Sequence, residues 1–207
     1  MTFTSSGRMS LPIVPPEQVE APLASILESI LLVASGPVDI GPVSTILSVP
    51  RSEVEAALDE LQDTLRGGIR LQIDGGRAQL VSTPENADVV RRFLGSEKPP
   101  PLSRSAVEAL AVIAYRQPAT RSDIEAVRGV NSDRAVQTLL ARNLIEERGQ
   151  RETPGRPLQY GTGFAFLEYF GLGSLSDLPP LDLPEADEGA PLGIGLRAIP
   201  AGNREHP

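Results

Sequence analysis

Twice along this chain, apolar residues spaced for helices give way to apolar residues spaced for strands, and the order is the same both times. Leu23, Ile26, Leu27, Ile30, Leu31 and Ala34 fall at i, i+3, i+4, i+7, i+8 and i+11, the stripe of an amphipathic helix. Gly36-Pro37 stops it, and a short apolar segment follows around Val43, Ile46 and Leu47. Val54, Ala57, Leu58, Leu61 and Leu65 then mark one face of a longer helix that ends at Gly67-Gly68. There the period drops to two. Ile69, Leu71 and Ile73 precede Asp74-Gly75-Gly76, and Ala78 and Leu80 follow it, which is the pattern of a β-hairpin. The spacing predicts one more helix over residues 84–94.

Aligning Pro37 with Pro118, an offset of 81 residues, superposes a second copy of this order. Ser103 or Ser105 caps a helix with Val107, Leu110, Ala111 and Ala114 on one face, and Gln117-Pro118 stops it. Thr120 and Asp123 form a capping box ahead of a short helix carrying Ile124 and Val127, closed by Gly129. A third helix starts near Asn131-Ser132 and buries Ala135, Val136, Leu139 and Leu140. A strand opens at Leu144-Ile145, the stretch GQRETPGRPLQYGT turns it back, and GFAFLEYFG adds a short helix. Three helices and a hairpin make the winged-helix order, a relative of the helix-turn-helix. The duplication predicts a mainly α chain with small β-hairpins (α+β), built as two tandem winged-helix domains with flexible N- and C-terminal tails. The composition shifts place a flexible leader at 1–20, a first domain at 21–95 and a Pro-rich linker at 96–101. A second domain follows at 102–181, then a flexible acidic tail at 182–207.

What such a chain can do is bounded by what it lacks. It has no Cys, and its one His is His206, next to the last residue. Disulfides, thiolate nucleophiles, His/Cys zinc sites and Ser-His or Cys-His catalytic pairs are therefore excluded. Nothing in the pattern calls for a cofactor, and no D-x-D-x-D-G loop calls for a metal. Acidic pairs such as Glu146-Glu147 and Glu53/Glu55 read as solvated carboxylates without a catalytic role. No apolar run approaches the ~18 residues of a membrane span, and no signal peptide opens the chain, so a cytoplasmic protein is expected.

The glycines and arginines of residues 149–162 invite comparison with a phosphate-binding loop. Gly149 and Gly155 lie six apart with no Lys following, and strands are expected on both sides, so the wing of a hairpin explains them better. Pro154 and Pro157 stiffen that wing and Gly155 supplies a positive φ. Tyr160 is expected to lie back on the core with its hydroxyl wet. Arg151 and Arg156 are not required by the hairpin; they are either solvated edge residues or contacts for a partner.

A winged helix is often a DNA reader, and the third helix of the second domain would carry Arg134, Gln137, Thr138 and Arg142 outward for that purpose. Against it, Asp133 sits at the N-terminal end of that helix. The equivalent helix of the first domain offers Glu53, Glu55, Asp59, Glu60 and Asp63. The net charge of −8 adds a general repulsion from phosphate, although the segment 99–181 is neutral, with nine basic and nine acidic groups.

The run from Leu102 to Leu181 also resembles the bacterial segregation and condensation protein B (ScpB) family. AVIAYRQPATRSDIEAVRGVNSD, RPLQYGT and FLEYFGL…LPPL occur in that order. From Leu23 to Leu94 the likeness lies mainly in the pattern. The resemblance implies two winged-helix domains and a homodimer formed through the first. It also implies a second domain that attaches to the kleisin subunit ScpA and, through it, to an SMC ATPase. The expected function is a non-enzymatic adaptor in chromosome condensation and segregation. It would associate with the nucleoid, meet DNA only within the complex and have no membrane partner. Large amphipathic residues of these motifs that the apolar stripes do not use are the expected partner contacts: Tyr115, Arg116, Arg128, Arg156 and Tyr160. The alternative is a winged-helix transcriptional regulator using the Arg134–Arg142 helix and the wing arginines.

Overall fold

The computed structural model describes residues 21–180; the leader, the tail and residue 181 lie outside it. The first unit runs α1 (Leu23–Val33), β1 (Val38–Asp39), α2 (Ile40–Leu47), α3 (Arg51–Thr64), β2 (Ile69–Asp74), β3 (Arg77–Ser82) and, after a 3-10 turn at Pro84–Asn86, α4 (Ala87–Phe93). The second runs α5 (Arg104–Arg116), β4 (Ala119–Thr120), α6 (Arg121–Arg128), α7 (Asp133–Ala141), β5 (Ile145–Gln150), β6 (Leu158–Thr162) and α8 (Phe164–Phe170). Each holds a three-stranded antiparallel sheet, in the orders β1-β3-β2 and β4-β6-β5. The two units share one order of elements, and the α+β class that the doubled periodicity predicts is the one observed.

The two-residue strands β1 and β4 are additions the sequence pattern did not reveal. Each follows the proline that stops the preceding helix, at the same 81-residue offset. Val38 and Asp39 pair with Ala78 and Arg77, while Ala119 and Thr120 pair with Tyr160 and Gln159. Both lie directly before a helix whose cap they supply. Asp39 accepts a hydrogen bond from Gly41 N at 2.9 Å, so α2 begins cleanly. Pro42 then stands third in that helix, where its missing N–H costs nothing. Thr120 caps α6 through the predicted box, with Asp123 Oδ2 accepting from the Thr120 N–H at 2.8 Å. Ser103 rather than Ser105 caps α5, accepting from Ala106 N.

The hairpin turn of the first unit is Gly75-Gly76, with φ of +56° and +77°. Two positive φ values in succession are what a tight two-residue turn matching the strand twist needs. Each unit closes around its own apolar cluster, and the two clusters share no residue. Leu27, Leu58, Leu61 and Leu71 centre the first; Leu110, Ile113, Ile124, Val136, Leu139 and Leu167 centre the second. Each such side chain removed from water contributes roughly 1.5–3 kcal/mol.

The strand alternation predicted for β2 and β3 holds on one face only. Leu71 and Ala78 enter the core, but Gln72, Asp74 and Gln79 on the opposite face are buried as well. A polar strand face is ordinarily left to water. Here the second unit covers it. Gln72 Nε2 donates to the Leu172 carbonyl at 2.8 Å, Gln79 Nε2 donates to Glu168 at 3.1 Å, and Ile73 N donates to the Gly173 carbonyl at 2.9 Å. Residues 171–180, which follow α8, thus touch both units.

Candidate functional site

The wing of the second unit is β5, β6 and the turn between them, and GQRETPGRPLQYGT occupies it as expected. The pairing of β5 with β6 shifts register between Glu147 and Gln150, at Gly149 with its φ of +107°. Gly155 takes the expected positive φ of +83°, and Arg156 beside it also takes one, +40°.

Arg151 is resolved by its neighbours. Its guanidinium forks onto the Asp123 carboxylate, at 3.1 Å to Oδ1 and 2.6 Å to Oδ2. Asp123 also completes the α6 cap, so one carboxylate ties the wing to the start of that helix. The Arg151 guanidinium, with the Thr120 N–H and hydroxyl adding to it, holds Asp123 well below the usual carboxylate range, at about 2. Arg151 is thus engaged inside the protein.

The five residues singled out from the sequence do not form one surface. Arg116 ends α5 and Arg156 sits at the wing turn; both are exposed, and neither side chain pairs with another of the described residues. Tyr115 is half-buried, and its hydroxyl donates to the Pro179 carbonyl at 2.8 Å, pinning the last described residues to α5.

Arg128 and Tyr160 require correction. The Arg128 side chain is only 5% exposed and holds three elements together. It donates to Ser132 at the start of α7 at 2.6 Å, and to Ser105 and Glu108 on α5 at 2.9 and 3.3 Å. A guanidinium enclosed in this way has no face left for a partner. Tyr160 is 1% exposed, in the centre of the second core. Its hydroxyl is not wet but accepts from Arg121 Nε at 3.2 Å. The reason is β4: pairing of Ala119 with Tyr160 lays a third strand and the start of α6 over the ring. Next to it, Gly161 is required by close approach. A Cβ there would meet Gln117 Oε1 at 2.7 Å, and that oxygen accepts from Thr162 N at 2.8 Å.

The candidate DNA-reading face of α7 is largely committed as well. Arg142 donates to the Pro100 carbonyl at 2.7 Å, Thr138 to the Arg134 carbonyl, and Asp133 pairs with Arg121 at 2.6 Å. Arg134 and Gln137 remain exposed. The five carboxylates of α3 are all exposed, as predicted.

Sequence reasoning missed a concentration of apolar exposure on the first unit. Leu32 and Val33 at the end of α1, Ile46 on α2, and Val89, Phe93 and Leu94 on and after α4 all face outward. Phe93 is 88% exposed. The signal was present in the composition of α1 and α4, whose apolar residues outnumber those one buried stripe can use. Among the described residues no group of His, Cys, Asp and Glu could hold a metal, and no helix is long and apolar enough to cross a membrane.

Two units with one order of helices and strands, each holding a three-stranded antiparallel sheet, define an α+β protein of repeated architecture. Comparison with known proteins narrows the class: the family model of the segregation and condensation complex subunit ScpB matches residues 25–181, and the chain belongs to that family. Segregation and condensation protein B of Moorella thermoacetica is 41% identical over 182 residues, covering 86% of this chain and 93% of its own. The crystal structure of ScpB from Mycobacterium tuberculosis is 37% identical, with 72% of this chain and 95% of that one covered and a TM-score of 0.36. A solved dimer of an ScpB N-terminal domain complexed with ScpA peptide is 24% identical, covers 38% of this chain and 98% of that chain, and has a TM-score of 0.34.

Proposed function

We propose that this chain is a non-enzymatic adaptor that dimerises through its first unit, residues 21–95, and binds the kleisin subunit ScpA through its second, residues 102–181. In this role it modulates the SMC ATPase of a nucleoid-associated complex and meets DNA only within that assembly. Membership in a family described as a complex subunit supports the reading. The observation that carries it is the division of exposed groups. The first unit exposes Leu32, Val33, Ile46, Val89, Phe93 and Leu94; the second exposes fewer large apolar side chains, Val130, Leu158 and Tyr169, and presents Arg116 and Arg156 with no partner among the described residues. Apolar centres with cationic rims are how protein interfaces are built.

Two measurements test it. Alanine at Arg116 and Arg156 weakens ScpA binding in a titration, by about tenfold for the pair, while the melting temperature changes little because neither side chain supports a contact in the fold. Unchanged affinity removes both residues from the interface. Separately, Phe93→Ser combined with Val33→Ser lowers the solution mass from dimer to monomer without loss of helicity. A dimer that persists in that variant places the self-association surface elsewhere.

A further inference from the structure

The face joining the two units is polar and charged where the two cores are apolar. Asp74 and Arg77, opposite each other across the β2–β3 pairing, meet Glu146 and Arg148 from β5. Arg148 lies 2.6 Å from Asp74 and 2.9 Å from Glu146, and Arg77 lies 2.5 Å from Glu146. The guanidinium of Arg77 also covers the Phe164 ring at 5.3 Å. Only Asp74 is deeply enclosed, at 5% exposure; the other three keep about a third of their side chains in contact with water. Beside this network, three successive carbonyls after α8, those of Gly171, Leu172 and Gly173, accept from Arg70, Gln72 and the Ile73 N–H. A cleft of about 140 Å³, lined by Arg70, Gln72, Pro84, Glu168 and Leu172 among others, lets solvent reach that row from one side.

We infer that this face is a releasable latch: the Asp74–Arg148–Glu146–Arg77 network holds the units docked, and neutralising or screening it frees the second unit without unfolding either core. Three features converge on this. Each unit has a complete apolar cluster of its own, so separation exposes polar groups that water satisfies. The connection between α4 and α5 has no regular structure, is exposed from residue 94 to residue 101 and contains Pro99, Pro100 and Pro101, which makes it a spacer able to hold the units apart. Partly solvated ion pairs are screened by salt, since the Debye length falls from ~10 Å at 0.1 M to ~3 Å at 1 M. In the docked state the outer edge of β2 is covered by residues 171–173. In the released state the Ile73 N–H and the polar face of the hairpin become free for a polypeptide partner.

The experiment uses the full chain. Because it has no cysteine, Glu60→Cys on α3 and Gln137→Cys on α7 give two unique labelling sites, one exposed on each unit. Doubly labelled protein is diluted into unlabelled protein so that only distances within one chain are read. At about 0.1 M salt a single narrow distance is expected. At about 1 M the ratio of docked to released molecules falls at least about threefold, with unchanged circular dichroism. Arg77→Glu, which sets a carboxylate against Glu146 and Asp74, releases the units already at low salt, and adding Glu146→Arg brings the narrow distance back. A broad distribution in the wild-type chain at low salt overturns the docked state. A distance that ignores both salt and Arg77→Glu overturns the charge network as its lock. A double variant as open as the single one does the same.

Discussion

Replacing Asp123 by Asn removes one charge and no volume, at a carboxylate that serves two elements. In the wild-type protein it accepts from the Thr120 N–H and hydroxyl at the head of α6 and takes both nitrogens of the Arg151 fork from the wing. An Asn oxygen still accepts the cap bonds, so the variant isolates the Arg151 pair. The fall from the ordinary 3.8 to about 2 corresponds to ~2.5 kcal/mol for the Arg151 pair and the Thr120 bonds together, with the Arg151 bond the largest part. Both partners are more than a third exposed, and solvent screening reduces this to about 1 kcal/mol. For a unit of this size, that lowers the midpoint of thermal unfolding by roughly 4–8 °C near neutral pH. The sign follows from the direction of the shift. Asp123 titrates lower in the folded state than in the unfolded one, so its stabilisation is fully present above pH ~4 and disappears as the pH falls through ~2. Melts of wild type and Asp123→Asn, followed by circular dichroism from pH 7 to pH 2.5, should stay apart down to pH ~4 and then converge. Coincident melts at pH 7 would refute the assignment. A gap that persists undiminished at pH 2.5 would show that the lost stability comes from the cap geometry and not from the charge.

Other outcomes follow from the same contacts. Leu139 is fully buried in α7, and Leu139→Asp places an unpaired carboxylate in the second core, at a cost above about 4 kcal/mol; loss of the unfolding transition of that unit checks it. Arg128→Ala strips three hydrogen bonds from Ser105, Glu108 and Ser132, for a loss of about 2 kcal/mol and a melt lower by roughly 8–16 °C. Its ScpA affinity, measured well below the melt, should match wild type, and a weakened affinity there would return Arg128 to the interface.

What the sequence made legible was whatever could be expressed within one helix or one hairpin. The Thr120–Asp123 box, the Gly75-Gly76 turn and the apolar stripes of α1, α3 and α7 rest on spacings of two to eleven residues, and each is where the periodicity puts it. On α5 the fully buried face is instead Ala106, Ala109, Leu110 and Ile113, with the expected Val107 and Ala111 only half-buried, and Ser103 is the one of two expected caps that is used. Tyr160 and Arg128 were misjudged because their surroundings come from elements that the spacing does not reveal. A strand of two residues, β4, has no period, yet it is what covers Tyr160. Ser132 lies only four positions from Arg128, but Ser105 and Glu108 come from the preceding helix, brought there by packing. The buried Gln72, Asp74 and Gln79 were illegible for a deeper reason. A polar strand face carries the same residues whether it meets water or a second polar face, and the partners here lie about a hundred residues further on. The exposed Phe93 and Leu94 are the converse case: helical spacing predicted a helix at the right place but not that its apolar side would be left uncovered.

The polarity of the hairpin face has a consequence during synthesis. Gln72 must wait until Leu172, a hundred residues later, has left the ribosome before its final partner exists. At translation speeds of ~5–20 residues per second, the first unit stands complete for some seconds with that face bare. Had the face been built of leucine and valine, it would be an adhesive patch on every nascent chain in a crowded polysome. Glutamine, aspartate and arginine keep it hydrated through the interval. The same residues that let the two units meet also let the first of them wait alone.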